Sequence, residues 1–200
     1  MRRARLPMAQ DGGMQIDVDQ IYPYLVPDDY PDAPSSGAQA QRRVGHGLSL
    51  ALVTPTGPPD AQILAAVGAA QLAAARIDLP TAYAHADRAL SQALSAGRIA
   101  MEFFERGPAG APTVVMSGSW LAATTLVASG LHERMARLVG DDIVAAVPHR
   151  DLLFVFGAEA CAGMVEVIEA EYRTARKPLT TALFTLSRDG PAPRPSLSRP

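Results

Sequence analysis

Asp142-Ile-Val-Ala-Ala-Val-Pro-His-Arg-Asp-Leu-Leu-Phe-Val-Phe-Gly157 decides how this chain folds. Residues 143–147 and 152–156 are two dense apolar runs, each of strand length and rich in branched and aromatic side chains. Between them stands one polar insert, Pro148-His149-Arg150-Asp151. Pro presets φ for a turn and Asp bonds nearby backbone N–H groups, so the insert predicts a tight connection between antiparallel strands. Strands apolar on both sides need cover on both faces, with helices on at least one of them.

Working outward, residues 158–176 form the clearest helical pattern. Cys161, Met164, Val165, Ile168 and Tyr172 share one stripe, while Glu159, Glu166, Glu169, Arg173 and Arg176 lie opposite. Acids lead and bases trail, as the helix dipole favours, and Pro178 ends the run. Residues 179–186 give a further strand with Ala182, Phe184 and Leu186 on one face. The strand–helix–strand run 152–186 is long enough for a crossover between parallel strands.

Upstream, residues 99–105 and 113–116 predict a hairpin, and residues 48–54 another strand. Residues 16–26 read as an extended segment that Pro23 and Pro27 keep at a sheet edge. Asp60 stands where it can cap a helix carrying Ile63, Leu64, Val67 and Leu72, and Thr81 is placed to cap a second through Leu94, closed by Gly97. Ser119 is a candidate cap ahead of Trp120, in a helix that Gly130 weakens. The expectation is a single α+β domain over 15–188, with a mixed, largely antiparallel sheet covered by helices. Residues 1–14 and the Pro/Arg tail 189–200 read as disordered ends.

Composition bounds the function. The 200 residues are 48% hydrophobic and 19% charged, enough for a core without staples. Net charge is -2, and the arginines are scattered without an aromatic–basic stripe, which argues against a nucleic-acid partner. No apolar stretch has membrane-spanning length, so no membrane partner is expected and the reading is cytoplasmic. The single cysteine, Cys161, rules out an internal disulfide and reads as a small buried hydrophobe.

Few groups carry the chemistry of catalysis. No phosphate-cradling glycine loop or nucleophile elbow is present. The four histidines (His46, His85, His132, His149) form no metal-binding pair, so neither metal nor cofactor is expected. Glu102 and Glu105, three apart in a strand, face opposite ways and make no acid/base pair. There remain His149, Arg150 and Asp151, a proton carrier, a fixed cation and a carboxylate. They are the candidate ligand-binding residues, with a turn-building role as the competing reading.

Several segments resemble one bacterial family. Val144-Ala-Ala-Val-Pro-His-Arg-Asp151, Pro178-Leu-Thr-Thr-Ala-Leu-Phe184, Arg188-Asp-Gly190, Gln20-Ile-Tyr-Pro-Tyr-Leu-Val26 and Tyr30-Pro31 are similar to the YtpQ-like proteins (domain of unknown function 1444), as is the helix carrying Ala86, Ala89 and Leu90. The likeness runs over about residues 16–190, and Ser119-Trp-Leu-Ala-Ala-Thr-Thr-Leu126 departs from it. It implies a bacterial cytoplasmic α+β protein and brings no activity with it.

The functional expectation is therefore a non-enzymatic binding or regulatory module with a protein or small-ligand partner. One alternative is a hydrolase or transferase using the His149-Arg150-Asp151 turn; another is an immunity or inhibitor protein acting by surface contact. A binding module predicts an exposed apolar patch, with Tyr22, Tyr24 and Tyr30 as the candidates.

Overall fold

The computed structural model describes residues 16–28, 42–57 and 63–195. In chain order the strands and helices are β1 (Tyr22–Pro27), β2 (Arg42–Gly45), β3 (Leu48–Thr56), β4 (Ile63–Ala66), α1 (Ala69–Ala74), α2 (Leu79–Ser95), β5 (Ala100–Phe104), β6 (Thr113–Ser117), α3 (Leu131–Val139), β7 (Ile143–His149), β8 (Leu152–Gly157), α4 (Cys161–Thr174), β9 (Leu183–Ser187) and β10 (Gly190–Pro193). Short 3-10 segments stand at Val18–Gln20, Ala123–Val127 and Ala158–Ala160. The fold is α+β.

The strands make two sheets. The larger is six-stranded, in the order β10-β9-β7-β8-β6-β5. β7 and β8 are its central pair, joined by the turn at residues 150–151. Their apolar runs are almost wholly shielded, since each strand has neighbours at both edges and cover on both faces. On one face Val144, Ala146, Phe154 and Phe156 pack against Cys161, Met164 and Ile168 of α4. On the other, Ile143, Ala145, Leu153, Val155 and Phe184 meet Leu131 and Met135 of α3, the Ala123–Val127 segment, and β1.

Every ladder among the described residues is antiparallel. The crossover through α4 does join two parallel strands, β8 and β9. They are not neighbours, because β7 lies between them and pairs with each. The parallel pairing that would have mixed the sheet is thereby replaced by two antiparallel ones.

The smaller sheet is built on β3, with β1 along one edge and β2 and β4 along the other. β1 lies at an edge, as its prolines require. The sheets share one core, in which Tyr22, Leu25, Leu48 and Leu50 meet Met116, Val155 and Phe184. Their margins are close enough that a side chain on Gly45, at φ 118°, would overlap Pro193 of β10. His46, also at positive φ, bonds through Nε2 to the Leu183 carbonyl at 3.0 Å and sets its ring edge-on to Phe184, 5.1 Å between centroids.

Three expectations change here. Residues 63–66 are a strand, not the start of a helix. Their backbone groups complete the edge of β3 beyond the end of β2, and four residues are too few for periodicity to tell helix from strand. Helix begins only after Gly68, and Asp60 lies outside the described residues. In α2 the cap is Asp78, whose carboxylate accepts from the Thr81 N–H at 2.8 Å, while Pro80 sits in the first turn, where no N–H is missed. Finally, the tail assigned to 189–200 begins as strand: β10 pairs with β9, so the ordered domain extends past 188. Residues 1–14 and 196–200 lie outside the described residues.

Candidate functional site

The Pro148–Asp151 turn is held from two sides. Leu179 N–H donates to the Pro148 carbonyl at 2.9 Å, Thr180 N–H to Val147 at 3.3 Å, and Arg150 N–H to Lys177 at 3.3 Å. Residues 177–180 thus extend the β9 side of the sheet along the end of β7. From the other side the Ala123 N–H donates to the Arg150 carbonyl at 3.2 Å. Backbone groups that a free turn would leave to water are consumed by the fold.

The side chains are engaged as well. Asp151 N–H donates to His149 Nδ1 at 3.3 Å, so the histidine satisfies the turn amide that the sequence assigned to aspartate. Neutral His149 then carries its proton on Nε2, which faces the Glu171 carboxylate of α4 at 3.6 Å. The Asp151 carboxylate, about half exposed, accepts from Arg150 Nε at 2.9 Å. Arg150 Nη1 donates to the Tyr24 hydroxyl at 3.3 Å. Burial disfavours the Arg150 cation, but the bonds to Asp151 and Tyr24 outweigh it and hold its pKa above the usual arginine value.

Tyr24 extends this contact into a row. Its ring is 6.0 Å from Trp120, Trp120 stands edge-on to Tyr22 at 5.5 Å, and the Tyr22 hydroxyl accepts from Arg98 at 3.1 Å. Arg98 and Arg150 thereby clamp the ends of an aromatic row that fastens β1 to the large sheet. Tyr22 and Tyr24 are buried in that role, which corrects their expected place in an exposed patch, and Tyr30 lies outside the described residues.

Other polar groups are also absorbed. Ser119 Oγ accepts from the Leu121 N–H at 3.2 Å, a capping contact ahead of the 3-10 segment rather than a nucleophile's pose. Gly130, at φ 73°, breaks that stretch from α3. Thr124 Oγ1 accepts from the buried Leu25 N–H at 3.1 Å. Burial pushes the Cys161 thiol pKa up, which suits the small hydrophobe expected there. No group of three metal-ligating side chains gathers among the described residues.

Two depressions open elsewhere. A cleft of about 860 Å³ lies between the sheets, walled by β2, the start of α2, the start of α3 and the β9–β10 hairpin. Arg42, whose guanidinium lies 5.2 Å from the Tyr83 ring centroid, stands in its wall, as does His132. A second groove, of about 550 Å³, runs between β5 and α3 and is lined by Leu94, Ile99, Met101, Met116, Met135 and Leu138, with Arg134 and Arg137 at its border. Neither includes residues 148–151.

The groove adjoins an exposed strand. All five residues of β5 are exposed, with Met101 at 53%, Phe103 at 44% and Phe104 at 42%. Pairing Met101 to Met116 and Phe103 to Val114 puts both side chains on the α3 face, and Glu102 and Phe104 on the α4 face. The sequence did show this run as a strand. Glu102 and Glu105 suit solvated edge positions, but the apolar residues beside them would equally suit a central strand, and the strand order places β5 last.

No helix among the described residues is long and apolar enough to cross a membrane. No known family model, curated protein or solved structure matches this chain, so the resemblance to the YtpQ-like proteins rests on the sequence segments alone.

Proposed function

We propose that this chain is a non-enzymatic binding module that recognises a protein partner through the β5 edge, in a regulatory or accessory role. One observation carries the reading: among the described residues β5 ends the large sheet, with the large apolar side chains of Met101, Phe103 and Phe104 exposed. Exposed edges are normally blunted by charged side chains (lysine above all), proline or a bulge, since their free N–H and C=O groups recruit other strands. β5 contains no lysine or proline, its single charge is Glu102, and its ladder with β6 has no register shift. Such a surface in a stable protein calls for a partner that covers it.

The commitments of His149, Arg150 and Asp151 support binding over the hydrolase or transferase alternative, which needs a ring nitrogen or cation free to meet substrate. An immunity or inhibitor role would use the same surface.

A photo-reactive phenylalanine analogue tests the proposal. Placed at Phe103, it is expected to form a discrete adduct in cells of the native host. Placed at exposed Arg173 on α4, it is expected to form none. Met101→Lys/Phe103→Lys should remove the adduct formed by the analogue at Phe104 while the melting temperature stays within about 2 °C, because exposed side chains contribute little to stability. Adducts equal at both positions, or absent from both, would sink the reading.

A further inference from the structure

We infer that the partner segment is an extended, acidic–apolar stretch of another protein that joins β5 as a seventh strand and lays alternate side chains into the β5–α3 groove. The inference rests on the binding reading above and names the chemistry that the edge selects.

The backbone sets the mode. An edge strand with unpaired N–H and C=O groups binds extended chains through main-chain bonds, and pockets for alternate residues add selectivity. β5 provides the edge, and Met101 and Phe103, alternate residues on the α3 face, provide the contacts. Met101 is the exposed methionine of the groove and can adapt its shape to varied apolar side chains, above a buried floor that includes Met116 and Met135.

Charge sets the sign. Arg134 and Arg137 are exposed at the groove, and neither is in an ion pair among the described residues. No carboxylate lines it. A segment whose apolar residues face Met101 and Phe103 would therefore be favoured by Asp or Glu beyond them on the same face. On the α4 face the nearest charge is Glu102, which disfavours an acid directly opposite.

A second copy of this chain suits the edge less well. Two β5 strands related by a two-fold axis pair all five residues only when Glu102 opposes Glu102. Sliding to oppose Phe103 with itself sets Met101 against Glu105, where the chain has already turned away.

The test uses the full-length protein and a displayed library of peptides about nine residues long, each position drawn from Val, Ile, Leu, Thr, Asp, Glu and Lys. Selection is expected to enrich alternating apolar residues with Asp or Glu on the same face. The best peptide should lose affinity at least tenfold on Phe103→Lys or on N-methylation of alternate backbone amides. It should weaken about tenfold on Arg134→Glu/Arg137→Glu, the effect of two surface charge contacts. A peptide with Lys in place of its acids should regain binding to that charge-reversed variant.

Enrichment of Lys, indifference to N-methylation, or no enrichment over the Phe103→Lys variant overturns the inference. So does a dimer in sedimentation that Phe103→Lys dissociates, since the edge would then belong to a second copy. If cellular adducts form at Phe103 while the library fails, the acidic-strand chemistry is wrong and the binding module stands. If both fail, both are wrong.

Discussion

Arg150→Ala separates a structural turn from a ligand-holding one. The substitution removes the charged hydrogen bond to the buried Tyr24 hydroxyl and the contact with Asp151. A hydrogen bond to a charged group contributes about 1.5–3 kcal/mol, and the lower end applies because the Arg150 side chain keeps 24% exposure and the Tyr24 bond is long at 3.3 Å. The pair with half-exposed Asp151 adds between about 0 and 1 kcal/mol. Loss of the packed aliphatic stem adds a similar amount. The sum is about 2–3 kcal/mol, or a fall in melting temperature of roughly 4–12 °C for a domain of this size. Urea denaturation of the wild type, Arg150→Ala, Tyr24→Phe and the double variant measures it. The cycle should return a coupling of about 1 kcal/mol, because the two side chains share one bond. A single-variant loss under about 0.5 kcal/mol with no coupling would refute the clamp and return Arg150 to the list of ligand contacts. Arg150→Lys should recover only part of the loss, since one ammonium cannot span Asp151 and Tyr24 in the planar geometry of a guanidinium.

Four further outcomes are expected. Gly163→Ala should cost up to about 2 kcal/mol in chemical denaturation, because its new methyl group would lie 2.7 Å from the Ala109 methyl in the β5–β6 loop, an overlap that outweighs the roughly 1 kcal/mol that alanine gains over glycine in a helix. Phe184→Ala, at the meeting of the two sheets, should cost about 3–5 kcal/mol and expose the shared core to an apolar dye. The hydrogen bonds from Thr81 hold the Asp78 carboxyl pKa below the ordinary aspartate value. The contribution of this cap is therefore present above that value and lost as pH falls through the lowered pKa, and Asp78→Asn should remove this part of the acid dependence of thermal melting. Burial raises the Cys161 thiol pKa, so iodoacetamide at pH 8 should label the native protein far more slowly than the urea-unfolded one; equal rates would place the thiol outside the core.

The candidate site was legible in composition, but its internal bonding was not. Pro-His-Arg-Asp between two apolar runs announces a turn, and the turn is there. The sequence could not show that His149 would take the Asp151 amide, or that Arg150 would reach Tyr24 across 126 positions. Side chains that distant meet only because the fold brings β1 beside the turn that follows β7. The tyrosines followed the same logic: aromatic and extended, they suited an exposed patch, until Trp120 and two arginines closed over them.

By itself the sequence determined the local elements whose signals are local. Apolar runs bounded by a proline-led turn became β7 and β8, a stripe with charges opposite became α4, and a proline-broken segment went to an edge. The tertiary structure alone decided neighbours and exposure. It turned residues 63–66 and 190–193 into strands, because edges of β3 and β9 stood open and backbone groups pair where partners are within reach. It also left β5 outermost. An apolar strand reads the same in the middle of a sheet or at its margin, and only the order of strands determines which one meets the solvent.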